Sequence, residues 1–330
     1  MVCSLQVRTA WEASVESGQV IYIVGAGGIG MPLAALLTSS GVQAVAVRTS
    51  RDDIAETTGR IAVDLAEGNP KLVDVRMVSL ARLPQVNSGV VAVATKATAN
   101  RVIAPIIRER FGDLPVVVLQ NGLGVERPFV EAGFPRVLRC VLYATGQHTG
   151  DTAYRFREVA PSPVGAITGD GAEVEQIVAR LSTPEFRFRA EDRIVTEVWR
   201  KVILNAAFNS ICPLINIDNG VFERDPAVAA IARTVIEEAI AVASRVGVEL
   251  SPDELMEQLL LISRRSSGQL ISTLQDLLAG RETEIDFLNR AIARTAAELR
   301  PPIDPQITRI LGELVLARSR HERSMTPGEP

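Results

Sequence analysis

At 330 residues, 47% of them hydrophobic and 22% charged, the chain is long enough for about two domains and has an ordinary globular composition. With 35 basic against 39 acidic residues the net charge is −4 and no basic block stands out, so no nucleic-acid partner is expected. Disorder, a collagen-like repeat and a disulfide-built miniprotein are excluded.

Residues 1–19 contain no apolar stretch of the kind a secretory signal requires, and they read as an extension ahead of the fold. Short Val/Ile/Leu-rich runs follow at 20–24, 44–47, 90–94, 116–119 and 137–142. They lack polar alternation, as parallel strands buried on both faces do. Between them the spacing predicts helices over 31–40, closed by Gly41, and 100–111, closed by Gly112. The alternation predicts a Rossmann-type, doubly wound α/β sheet. From about 146 to 189 the segments shorten and alternate with polar residues, as in Phe186-Arg187-Phe188-Arg189, and antiparallel strands extending the sheet are expected.

After about 191 strand signals cease. Helices are expected over 192–215, 226–246, 252–263, 272–279, 284–299 and 306–317, with Pro301-Pro302 stopping the fifth. The expected division is an extension (1–19), a dinucleotide-binding domain (20–190), an all-helical domain (191–318) and a tail (319–330). The active site is expected in the interdomain cleft.

The first strand runs into Gly25-Ala26-Gly27-Gly28-Ile29-Gly30, and a helix follows at once. A bare GxGxxG is weak evidence, but strand before and helix after is the context the motif needs. The first glycine allows the tight turn, the second lets backbone approach a pyrophosphate, and the third lets helix and strand pack closely. The phosphates would sit on the helix N-terminus, where unpaired N–H groups favour an anion. An NAD site has an acid about 20 residues on, for the ribose 2′-OH. Here the second strand ends in Arg48-Thr49-Ser50-Arg51, which suits a 2′-phosphate, so NADP is the expected cofactor. The competing acids, Asp52 and Asp53, read as caps of a helix beginning near Ile54.

The segment from Trp199 to Pro213 is mostly apolar, and between Val202 and Leu214 only Asn205, Asn209 and Ser210 are polar. Such a helix belongs in a core. Lys201, Asn205 and Asn209 stand at i, i+4 and i+8 and form one stripe. Buried polar groups need partners, and a polar substrate is a candidate. The bland alternative is a Glu197–Lys201 surface pair with two incidental asparagines. Lys96 and Asn121-Gly122-Leu123-Gly124 follow strands at their carboxyl ends, where open α/β sheets bind ligands, although Asn-Gly also makes a good turn. Ser272-Thr273-Leu274-Gln275 reads equally as a capping box, and Glu284 as a first-turn acid after a Thr283 cap.

Cys3, Cys140 and Cys212 are far apart, without CxxC spacing or clustered histidines. No metal site or disulfide framework is expected, and a cytoplasmic location follows. No apolar run approaches the roughly 18 residues of a membrane span. With only His148 and His321 in the chain, chemistry that needs several histidines is excluded.

Taken together, the 25–30 loop, Lys96, Asn121-Gly-Leu-Gly124, Trp199-Arg-Lys201 with Asn205 and Asn209, Asn219-Gly220, and Ser272-Thr-Leu-Gln-Asp276 leading to Thr283-Glu-Ile-Asp286 resemble the ketopantoate reductase family. The resemblance implies an oxidoreductase that reduces a 2-oxo acid with NADPH, 2-dehydropantoate to pantoate in pantothenate biosynthesis. It implies that Lys201 donates the proton and that Glu284 binds and orients substrate beside the cofactor. Asn121, Asn205, Asn209, Asn219 and Ser272 would contact substrate. Lys96 and Asn121 would lie beside the nicotinamide ribose, and Arg48 or Arg51 would hold the 2′-phosphate. A free lysine, with a pKa of about 10.4, is protonated at neutral pH and suits the acid's role. A reductase of another oxo acid or an imine, and an NADPH sensor without turnover, stay open, as does a homodimer. A sensor has no use for a lysine in the stripe, which favours the enzyme.

Overall fold

In the computed structural model, residues 20–49, 55–65 and 69–325 are described. The extension 1–19 with Cys3, the stretch 50–54 with Arg51, Asp52 and Asp53, and residues 326–330 lie outside the described residues. The chain forms two compact units. One holds the described residues up to Gln120 together with Val125–Ile194, and the other Asn121–Gly124 and the described residues from Val195.

In the first unit the strands form one sheet. They are β1 (Ile21–Val24), β2 (Ala44–Arg48), β3 (Thr57–Asp64), β4 (Lys71–Ser79), β5 (Val90–Val93), β6 (Val116–Val118), β7 (Val137–Cys140), β8 (Ala144–Gly150), β9 (Ala153–Glu158), β10 (Ser162–Ala166) and β11 (Phe188–Ala190). Their order is β11-β10-β7-β6-β5-β1-β2-β4-β3-β9-β8. From β7 to β4 every neighbour pair is parallel, with β1 between β2 and β5. The order therefore reverses at β1, the switch point where doubly wound sheets take ligands.

The parallel strands form because their side chains are buried on both faces. Ile21 and Ile23 point to one face, where helix α1 (Gly30–Ser39) brings Met31, Leu33, Leu36 and Leu37. Tyr22 points to the other, and its ring meets Phe111 of helix α2 (Asn100–Phe111) edge-on at 5.1 Å. Each such side chain contributes about 1.5–3 kcal/mol when fully buried. Gly112 ends α2 with φ of +54°, and Gly41 follows α1 with φ of +82°.

In the first unit three regions depart from expectation. The expected start of a helix near Ile54 lies outside the described residues, but Thr57–Asp64, which that helix would have covered, is strand and pairs antiparallel with β4. The alternation of Ile61 and Val63, both buried, marks it as a one-faced strand. Between 146 and 189 the strands are mixed. β8 and β9 are antiparallel, but β9 pairs parallel with β3 and β11 parallel with β10. Helix α4 (Val174–Leu181) interrupts them, and α3 (Arg127–Glu131) is a further short helix outside the expected set.

The second unit is helical: α5 (Ile194–Ile215), α6 (Val221–Arg224), α7 (Pro226–Arg245), α8 (Pro252–Arg265), α9 (Ser272–Leu278), α10 (Asn289–Glu298) and α11 (Gln306–Met325). Helix α5 is buried almost all round, as its composition requires. Asp225 caps α7 by accepting from Ala227 N at 2.9 Å, and Ser251 caps α8 by accepting from Glu254 N at 3.3 Å. Glu238 reaches from α7 to accept from Ile307 N and Thr308 N at the start of α11. That helix continues past the expected end at 317, so His321 is helical. The expected helix from Glu284 is a 3₁₀ turn, Ile285–Phe287, followed by α10. Among the described residues no helix is long and apolar enough to cross a membrane. Cys140 and Cys212 are buried, one in each unit, and neither is in a disulfide.

Candidate functional site

In the first unit the glycine loop joins β1 to α1. Gly25 has φ of +106°, and a side chain there would run into the Thr95 backbone, with a Cβ 2.5 Å from Thr95 N. Gly30 sits so close to Gly25 O that no Cβ fits, which is the tight helix–strand packing expected of the third glycine. Gly27 differs: a Cβ there would meet nothing within 4 Å. Open space over bare backbone at a helix N-terminus fits a pyrophosphate. Gly28 has another cause. Its backbone lies against Gly146 of β8, where a Cβ on Gly28 would stand 2.5 Å from Gly146 O. Ala26 and Ile29 complete the loop and are half-buried.

Arg48 ends β2, and its guanidinium donates to Met77 Sδ at 3.4 Å. Nearby, the His148 ring packs on Tyr154 at 4.4 Å between centroids. Burial first, and then the positive Arg48, push the His148 pKa down. Arg51, the second arginine of the expected 2′-phosphate site, lies outside the described residues.

Lys96 follows β5 as the exposed lead-in to a 3₁₀ turn, Ala97–Ala99, with Ala99 N donating to Lys96 O at 3.1 Å. Asn121 is half-buried and opens the segment assigned to the second unit. There Gly122, at φ of +107°, passes Phe287, and Leu123 N donates to Phe287 O at 2.8 Å. The segment is therefore tied to the 3₁₀ turn that follows Glu284.

In the second unit Lys201 and Asn205 are half-buried on α5 and Asn209 is 2% exposed. Asn209 Oδ1 accepts from Ser272 Oγ at 3.2 Å and from Thr273 N at 3.3 Å, and its Nδ2 donates to Asn205 O at 3.1 Å. The expected site residues Asn209 and Ser272 are thus brought together. The capping-box alternative for Ser272 is not what forms, because Ser272 is the first residue of α9 and its hydroxyl bonds to Asn209. Asn209 caps α9 from another helix. The cap alternative for Glu284 fails similarly: Thr283 Oγ1 is buried with no hydrogen-bond partner among the described residues. Glu284 itself is half-buried. Glu197, the alternative partner of Lys201, faces Arg200 at 3.6 Å.

Asn219 is buried, with Oδ1 lacking a hydrogen-bond partner among the described residues. Its backbone is fixed on both sides, by Ser263 Oγ donating to its carbonyl at 2.7 Å and by its own N–H on Gln269 O at 2.9 Å. Asp218 braces this corner by accepting from Arg224, Gly220 N and Gly268 N, and those bonds, Arg224 first, hold its carboxyl well below the usual range. The sequence reading missed Asp218, although its place beside Asn219-Gly220 is a turn signal.

A mostly parallel sheet with its glycine loop at the switch point, followed by a helical unit, defines the class as a Rossmann-type protein. The ketopantoate reductase PanE/ApbA family matches residues 21–169 and its C-terminal domain matches 193–314, and the chain belongs to the ketopantoate reductase family, a family of oxidoreductases. Among curated relatives, 2-dehydropantoate 2-reductase of Archaeoglobus fulgidus is 26% identical over 299 residues, covering 90% of this chain and 97% of the relative. The fold is also that of a PanE/ApbA family ketopantoate reductase from Ralstonia eutropha, at TM-score 0.79 and 24% identity, covering 92% and 99% of the two chains. D-mandelate dehydrogenase with NADH and anilino(oxo)acetate has the same fold at TM-score 0.80 and 21% identity, with the same coverage.

Proposed function

We propose that this chain reduces a 2-oxo acid to the 2-hydroxy acid with NADPH, and that the acid is 2-dehydropantoate, giving pantoate in pantothenate biosynthesis. The polar stripe on the buried helix α5 carries the reading, because it lies within the stretch matched by the family's C-terminal domain. The first unit is the cofactor domain in this reading, and the second supplies the substrate chemistry.

The open backbone at Gly27 would take the pyrophosphate, Arg48 with Arg51 the 2′-phosphate, and Lys96 and Asn121 the nicotinamide ribose. Held by these residues, a reduced nicotinamide would be the source of the hydride for the substrate's carbonyl carbon. The remaining work belongs to the chain. Lys201 stabilises the charge that develops on the carbonyl oxygen and then protonates it. Glu284 orients the substrate, with Asn205 and Asn219 as further contacts. The bare Oδ1 of Asn219 supports that last assignment, since a buried acceptor gains from a substrate hydroxyl. Asn209 and Ser272 act as a bonded pair.

A second reading keeps the chemistry and changes the acid, and the fold shared with a dehydrogenase of D-mandelate favours it. Rates of NADPH and NADH oxidation over a panel of 2-oxo acids test both. The expected result is highest kcat/KM for 2-dehydropantoate with NADPH. A higher value for an aryl oxo acid would move the assignment to the second reading, and no turnover of any oxo acid would end both.

A further inference from the structure

Asn100 and Gln120 are polar residues buried in the first unit, at 1% and 6% exposure. Asn100 opens α2, and Gln120 lies two residues past the end of β6. Their amides meet face to face: Asn100 Nδ2 donates to Gln120 Oε1 at 2.7 Å, and Gln120 Nε2 donates to Asn100 Oδ1 at 2.7 Å. The second hydrogen on each nitrogen goes to the backbone. Asn100 donates to Val125 O at 2.7 Å, and Gln120 donates to Thr95 O at 2.8 Å, with Thr95 Oγ1 at 2.9 Å. Every donor of the pair is thereby used. Turning either amide over would set oxygen against oxygen, so the arrangement has one orientation.

As far as the contact between the two side chains goes, a core does not need such a pair, since two apolar groups of the same shape can serve stability about as well. The amides do something apolar groups cannot: they hold two carbonyls by direction. Thr95 O immediately precedes Lys96, and Val125 O immediately follows the Asn121–Gly124 segment, which Gln120 itself precedes. The same Thr95 backbone lies against Gly25. We propose that the Asn100–Gln120 pair is a positioning device that fixes the backbone at Lys96 and Asn121 and so sets the affinity for the nicotinamide end of the cofactor. The proposal rests on the cofactor reading above, which assigns Lys96 and Asn121 to the nicotinamide ribose.

The test compares Gln120→Met, Asn100→Leu, the double variant and the shorter amide Gln120→Asn with the native protein. Thermal midpoint, dissociation constants for NADPH and for 2′-phospho-ADP-ribose, and amide hydrogen exchange are measured for each. Each apolar single variant strands one buried amide as well as a carbonyl and lowers the midpoint, and the double variant, which removes the stranded amide but still leaves Thr95 O and Val125 O without these donors, regains only part of it. Affinity for NADPH falls about ten- to a hundredfold in the double variant, as displaced contacts do. Affinity for 2′-phospho-ADP-ribose, which lacks the nicotinamide end, stays within about twofold. Exchange quickens at 95–97 and 120–125 only. Gln120→Asn follows the same pattern and decides the matter should the double variant fail to fold. A folded double variant or Gln120→Asn variant with native NADPH affinity would overturn the proposal. If the native protein binds no NADPH, the cofactor reading has failed, and exchange then decides: unchanged rates at 95–97 and 120–125 overturn the pair's positioning role.

Discussion

Lys201 and Asn205 are half-buried on α5, whereas Asn209 has its carbonyl oxygen engaged by Ser272 and Thr273. That contrast separates what their removal should do. Lys201→Ala should lower kcat by about two to four orders of magnitude, the range for a positioned acid, with little change in midpoint or NADPH affinity. Asn209→Ala removes the cap of α9 and should cost about 0.5–2 kcal/mol of stability, lowering kcat/KM as Ser272 loses its anchor. Thermal melts beside steady-state kinetics check both. A Lys201→Ala enzyme turning over at native rate would make the lysine structural. The i, i+4, i+8 spacing was enough to find this stripe. It could not say that Asn209 faces protein, because its partner lies 63 residues away in sequence. Nor could it find Asn100 and Gln120: one reads as a helix start and the other as the residue before a turn, and only pairing across β5, β6 and α2 gives them a common purpose.

At the level of elements, the glycine loop and β8 show two different reasons for glycine. Gly27 faces open space without positive φ, so Gly27→Ala should leave stability within about 1 kcal/mol of native while weakening NADPH binding. Gly28→Ala and Gly146→Ala push a methyl into backbone and should lower stability clearly, by about 1–3 kcal/mol, the cost of overpacking. Melts and cofactor titrations of the three variants give the answer; a Gly27→Ala variant that melts early and binds normally would reverse the assignment. The parallel strands and the helices of the second unit were legible because burial on both faces and 3.6-residue periodicity leave strong marks. The β3–β4 pair and the parallel additions at β9 and β11 were not. Half-exposed strands carry weaker patterns, and parallel or antiparallel pairing depends on partners distant in sequence.

For the molecule as a whole, the two buried cysteines have a practical consequence. Cys140 belongs to the sheet unit and Cys212 to the helical one, and both are 0% exposed. Burial, reinforced by Asp218, pushes the Cys212 thiol up to about 12. Burial keeps an alkylating reagent from either sulfur until its surroundings open, and Cys212 in addition carries little of the reactive thiolate. Nature has thus put one silent clock in each half of the chain. With Cys3 replaced by serine, pulse alkylation read peptide by peptide would time the opening of each half separately. If the sheet unit holds NADPH, the cofactor should slow the Cys140 clock by mass action, whatever it does to the other. A Cys140 rate that ignores saturating NADPH would mean that the cofactor grips elsewhere.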